Sequence, residues 1–195
     1  MFHEIKGRKY LLYQYLEVDG TWTINDTEML KLWELIKKHE LEKQVFYTGE
    51  IKNFFDWLKL MQAEANIVHT IWDVTDGFGK EKIALIAWMN HQNKTSGAIH
   101  YMQFPAAWNN KVTKELGLIS LDYLFSLRDD LLTLVGMTPT NLRTATLYLR
   151  RLGLEVIGTI PNMQFDFYKQ KHVDVLISYA TREVFYYGPG ISGKN

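Results

Sequence analysis

In the segment Leu132-Thr133-Leu134-Val135-Gly136-Met137-Thr138-Pro139-Thr140-Asn141-Leu142-Arg143-Thr144-Ala145-Thr146-Leu147-Tyr148-Leu149-Arg150-Arg151-Leu152-Gly153, a nearly continuous apolar run gives way to a helical pattern. The run from Leu131 to Met137 has the composition of a strand buried on both faces. Thr138-Pro139-Thr140-Asn141 offers a cap and a helix start, after which Leu142, Ala145, Leu149 and Leu152 recur on one face. Gly153 stands at the C′ position, where a left-handed residue ends a helix. Glu155–Ile160 and His172–Ala180 then read as two strands, joined by a connection around Pro161 to Lys171.

Moving toward the N-terminus, Val112, Leu116, Ile119 and Tyr123 mark a helix over Asn110–Ser126, and Pro105 ends the segment before it. Asn66–Val74, Lys82–Asn90 and Ala98–Phe104 form a three-stranded meander whose first turn is Asp76-Gly77-Phe78-Gly79. Phe54, Phe55, Leu58 and Met61 give an amphipathic helix over Ile51–Ala65, and Met29, Leu32, Trp33 and Ile36 give another over Thr27–His39. Ahead of that helix, Asn25-Asp26-Thr27-Glu28 supplies capping oxygens. Residues 10–18 are β-prone and meet Asp19-Gly20, a favoured tight-turn pair, with a return through Thr21–Ile24.

Length and composition bound the function. With 195 residues, 47% hydrophobic, the expectation is a single domain over 1–187 and a flexible, Gly-rich tail over 188–195. Lys plus Arg and Asp plus Glu are equal at 22 each, so no global field draws nucleic acid, and nucleic-acid binding is disfavoured. The chain contains no cysteine, which removes disulfides, thiolate metal sites and a Cys nucleophile. His91 and His100 are nine residues apart with a turn between them, and no neighbouring carboxylate gives metal-ligand spacing, so no metal is expected. Neither a signal peptide nor a membrane span is apparent, and a cytoplasmic location is expected.

The order of strands and helices, and above all Asn141, Ala145, Leu147-Tyr148 and Gly153 at their spacing, resembles the GNAT (N-acetyltransferase) superfamily, with Leu154 where Phe is usual. The resemblance implies an α/β fold with a mixed central sheet splayed between its fourth and fifth strands, here Ala98–Phe104 and Leu131–Met137, and flanking helices. It implies acetyl-CoA as co-substrate in that splay, with the backbone of Met102, Gln103 and Phe104 along the pantetheine arm. Asn141 would face the cofactor, and Tyr148 would protonate the departing thiolate. Without the family, Asn141 is a helix-start residue and Tyr148 a core aromatic.

Members of the family cradle the CoA pyrophosphate on a glycine-rich loop, because glycines let backbone amides approach phosphate at a helix N-terminus. The matching positions here are Trp108-Asn109-Asn110-Lys111-Val112-Thr113, with Lys111 and Thr113 where small residues are usual. Asn109, Asn110, Lys111, Val112 and Thr113 are therefore the phosphate-binding candidates, the asparagines doubling as plain helix caps. The strand Ala98–Phe104 has no carboxylate to act as general base, and His100 is its only group titrating near neutrality.

Two functions fit. One is acetyl transfer from acetyl-CoA to an unidentified amine, with Tyr148 and His100 as catalytic candidates. The other is a catalytically inactive GNAT-fold protein that binds a protein partner in an assembly, as in the small GNAT-like proteins of tailed phages, where a virion-associated location would follow.

Overall fold

The computed structural model describes residues 1–188. The chain opens with a hairpin, β1 (Phe2–Ile5) and β2 (Arg8–Tyr15), turned by Lys6 and Gly7 at positive φ. Nothing in the sequence pattern announces β1, whose alternate residues are exposed at the sheet edge. A small second hairpin, β3 (Glu17–Val18) and β4 (Thr21–Trp22), turns on Asp19 and Gly20 with φ of 50° and 77°, the geometry that pair favours.

α1 (Asp26–Lys38) starts on a reciprocal cap: the Glu28 N–H donates to the Asn25 side chain at 3.0 Å, and the Asn25 N–H donates to the Glu28 carboxylate at 3.2 Å. A single unannounced turn, α2 (Glu42–Val45), follows. α3 (Phe54–Met61) is shorter than the expected 51–65, because the Asn53 side chain accepts from the N–H groups of Phe55 and Asp56 and fixes the start there. Trp57 of α3 is fully buried and stacks on Trp33 of α1 at 5.7 Å.

The expected meander is present as β5 (Asn66–Asp73), β6 (Lys82–His91) and β7 (Ser96–Gln103). α4 (Pro105–Asn109) and α5 (Thr113–Leu127) replace the one helix expected over 110–126. β8 (Thr133–Pro139) keeps Pro139 opposite Val175, so the helix after it, α6 (Arg143–Arg151), begins beyond Asn141 and not at Thr138. Gly153 closes α6 at φ 80°, with the Leu154 N–H donating to the Leu149 carbonyl, as the C′ position requires.

β9 (Glu155–Asp166) runs six residues past the expected end at Ile160 before turning into β10 (Lys171–Thr181). Pro161 is tolerated because it lies on an edge strand beside an irregularity at which Asn162 takes φ 52° and donates its N–H to Asp174. Phe185-Tyr186-Tyr187 belongs to a short helix, α7 (Arg182–Tyr187), with Phe185 buried against Phe125. Of the tail over 188–195, only Gly188 falls within the described residues. Among them, no helix is long and apolar enough to cross a membrane.

The main sheet has the order β1-β2-β5-β6-β7-β8-β10-β9, antiparallel throughout except for β7 with β8. Strand alternation sends Ile86, Trp88, Met102 and Phe104 to the face covered by α1–α3. The opposite face receives Leu85, Ala87, Met89 and Ile99 under α4, α5 and α6. The parallel pair β7–β8 is joined only at Ser96–Thr133, Gly97–Leu134 and Ala98–Val135, after which β7 stays with β6 and β8 stays with β10. The two strands therefore splay where expected.

Candidate active site: a cleft through the sheet

The splay opens a cleft of about 950 Å³ that crosses the sheet. On the α1–α3 side it is lined by Phe46, Tyr47, Glu50, Trp88, His100 and Met102, and on the other by Tyr101, Gln103, Ala145 and Tyr148. Gly136–Pro139 of β8 form the far wall. Such a passage lets two ligands meet end to end from opposite faces.

The backbone along β7 is set by its ladder with β6. The Phe104 N–H donates to the Ala84 carbonyl at 3.0 Å, and antiparallel pairing then turns every second residue toward β6. Met102 and Phe104 consequently direct their backbone groups to β6, whereas Tyr101 and Gln103 direct theirs into the gap. Phe104 is buried and lies outside the cleft lining.

His100 and Tyr148 sit on opposite sides of the sheet. The His100 ring stacks on Trp88 at 4.9 Å and 10°, and burial lowers its pKa to about 4, so it is neutral at pH 7. Tyr148 presents its ring to the cleft edge-on to Tyr101, with centroids 5.8 Å apart. Its hydroxyl is buried and has no hydrogen-bond partner among the described residues. A Cβ added to Gly117 of α5 would lie 2.0 Å from that hydroxyl, so a glycine within α5 is what admits it. Burial pushes the hydroxyl well above the usual phenol range, which keeps it protonated.

The five phosphate-loop candidates are drawn into local structure. Asn110 caps α4, Lys111 follows at φ 55°, and the N–H groups of Lys111 and Val112 donate to the carbonyls of Trp108 and Ala107. This is a Schellman cap with a lysine in the position glycine prefers. The Asn110 side chain donates to Asp73 at 3.1 Å and to the Ala106 carbonyl. Lys6 donates to the Lys111 carbonyl at 2.7 Å and pairs with Glu115 at 2.8 Å. Asp73 itself is buried and bound by Arg8 at 2.7 Å; burial alone would raise its carboxyl, but hydrogen bonds from Thr75 and Arg8 outweigh that and hold it below the usual range. Asn109, Asn110, Lys111 and Val112 do not line the cleft, whereas Thr113, the first residue of α5, does. α5 has no side-chain cap at its N-terminus.

Asn141 precedes α6 and is exposed; its amide approaches Asp166 at 3.5 Å, and it does not line the cleft. Glu50 does, and the sequence gives no hint of it. It is the only carboxylate among the described lining residues, and it is exposed to solvent at the cleft mouth, with no ion pair or side-chain hydrogen bond among the described residues. Its loop is held from far along the chain: the Phe167 N–H donates to the Tyr47 carbonyl at 2.8 Å, and the Phe167 ring packs so closely on Gly49 that an added Cβ would lie 2.6 Å from it.

No protein-family model matches the chain, and no curated protein matches it. Solved structures do. A spermidine N-acetyltransferase from Vibrio cholerae in complex with CoA and spermine superposes with a TM-score of 0.68 at 13% identity, over 89% of this chain and 96% of that one. A ribosomal-protein-S5-alanine acetyltransferase from Vibrio fischeri gives a TM-score of 0.64 at 12% identity, over 93% of this chain and 96% of that one. At such identity the shared property is the fold.

Proposed function

We propose that this chain, whose fold is the GNAT fold, transfers an acetyl group from acetyl-CoA to an amine, and that residues 1–187 act as the single domain that does so. The observation that carries this reading is the cleft through the sheet. The α5–α6 side would take the pantetheine arm along the free backbone groups of Tyr101 and Gln103, which are suited to orienting and polarising a thioester carbonyl. From the α1–α3 side the amine would approach, so that its nitrogen meets the carbonyl within the sheet. The amine attacks the carbonyl carbon, the C–S bond breaks, and the thiolate takes a proton. Tyr148 supplies that proton once its hydroxyl turns from Gly117 toward the cleft, and being protonated at neutral pH it is in the right form to do so. Glu50, the one carboxylate among the described lining residues, is the candidate to receive the amine's proton, and burial makes the His100 ring a weak base.

A second reading, a GNAT-fold protein that binds a partner without chemistry, is favoured by one observation: the amides at Lys111 and Val112 are already engaged in the cap of α4. Titration calorimetry with acetyl-CoA decides between them. Binding, followed by thiol release on adding a set of primary amines, is the expected outcome. Absence of binding at millimolar acetyl-CoA would favour the second reading.

A further inference from the structure

The acceptor half of the cleft has a distinctive charge and shape. Phe46 and Tyr47 descend from the loop after α2, Trp88 and Met102 rise from the sheet, and His100 lies flat on Trp88. The walls of this box are mainly aromatic and apolar, its polar groups being the Tyr47 hydroxyl, Gln44, Thr48, Asn90 and a histidine that is neutral at pH 7, with Glu50 exposed at its mouth. Among the described residues lining the whole cleft, Glu50 is the one carboxylate and Arg151, on α6 across the sheet, the one fixed cation. Two buried carboxylates lie nearby but outside the lining, each already paired: Glu42 with Lys37 at 2.9 Å and Asp166 with Lys169 at 3.2 Å.

We propose that the acceptor is a primary amine carrying a single positive charge on an apolar body of about the size of an aromatic ring, with Glu50 holding its ammonium group. This rests on the acetyl-transfer reading above and narrows it. A carboxylate with no partner of its own, beside aromatic walls, suits one ammonium and the hydrocarbon that bears it. A polyamine enters with further ammonium groups, and each would be stripped of water against Phe46, Trp88 or Met102 with no carboxylate to meet it. The cleft's volume leaves room for such an amine beside a pantetheine arm.

The test reads binding, not turnover. Quenching of tryptophan fluorescence, with Trp88 and Trp108 both in the lining, follows titration with 2-phenylethylamine, the uncharged 2-phenylethanol and spermidine at fixed ionic strength. The expected result is that 2-phenylethylamine binds at least about tenfold more tightly than either of the others, and that Glu50→Gln removes most of its advantage over the alcohol. Spermidine binding as tightly as 2-phenylethylamine, or an unchanged affinity in Glu50→Gln, overturns the proposal. A parallel CoA titration separates the two levels. If CoA fails to bind while the amine preference holds, acetyl transfer falls and the amine site stands; if CoA binds and the preference is missing, the substrate class alone is wrong.

Discussion

The gap between β7 and β8 and the junction between α4 and α5 are neighbours in the chain, yet opposite physics has settled them. At the gap, each strand takes its hydrogen bonds from an outer partner, β6 or β10, and the backbone groups of Tyr101 and Gln103 are left facing open space. At the junction, the loop amides are taken by the carbonyls of α4, the Asn110 side chain by Asp73, and the Lys111 carbonyl by Lys6. An opening made by strand divergence comes with the fold, since closing it would mean re-pairing a sheet. A phosphate cradle needs free loop amides, and at this junction the amides of Lys111 and Val112 are already taken.

The sharpest break in this comparison would come from Tyr148→Phe. The hydroxyl is buried without a partner, so its removal should change stability by no more than about 1 kcal/mol. If the open half performs the chemistry, acetyl transfer should still fall by about 10²-fold to 10⁴-fold. A folded variant with undiminished turnover would take Tyr148 out of the mechanism.

Next in size is the clamp behind the closed half. Asp73→Ala removes the acceptor for Arg8 and Asn110 and should lower the unfolding free energy by about 2–3 kcal/mol, the low side of the buried-pair range because Arg8 is partly exposed. Urea denaturation measures it. CoA affinity should fall little, since the clamp serves the junction and not the cleft; a parallel collapse of CoA binding would mean that the junction belongs to the cofactor site after all.

A smaller effect joins the two regions through α5. His69 is fully buried, its Nε2 2.6 Å from the Ser120 hydroxyl, and burial lowers its pKa to about 3. The folded pKa thus lies below the unfolded value near 6.5. Its contribution is complete above pH 6.5 and is lost as pH falls from there toward 3, at about 1.4 kcal/mol per pH unit, because only the unfolded chain binds the proton. Thermal melts between pH 6.5 and 5 should show this slope together with a similar one from buried His100, and His69→Gln should remove about half of the total. An unchanged slope in the variant would assign the acid sensitivity elsewhere.

Smallest is Lys111→Gly. It places glycine at a left-handed C′ position and should stabilise the fold by about 1 kcal/mol, read as a raised Tm. Acetyl-CoA affinity should not change while the junction stays closed. A gain of about tenfold would show that the loop opens to meet phosphate and would erase the contrast between the two halves.

Local patterns made much of this fold legible. The cap at Asn25, the turn at Asp19-Gly20 and the stop at Gly153 depend on close neighbours, and the apolar run before Pro139 is a strand as its composition implied, but not one buried on both faces, since Leu132 and Met137 are exposed. The splay was also legible, because the residues around Asn141 and Tyr148 resemble a family in which it occurs. What failed were features set across the chain. β1 and the outer half of β9 are edge strands, stabilised by a single neighbour and carrying no burial pattern of their own. Asn110 has the composition of a cap or a ligand, and only the arrival of Asp73, 37 residues away, makes it a tether. Glu50 is one glutamate among many until Phe167 packs on Gly49 and holds its loop at the mouth of the cleft. Sequence alone determined the elements that carry a local pattern of their own, and their order, since hydrogen bonding and periodic burial act over a few residues. Tertiary structure alone decided which backbone groups stay unpaired, which asparagine is tied down and which carboxylate faces the cleft, because each of these depends on a partner that folding brings from a distant part of the chain.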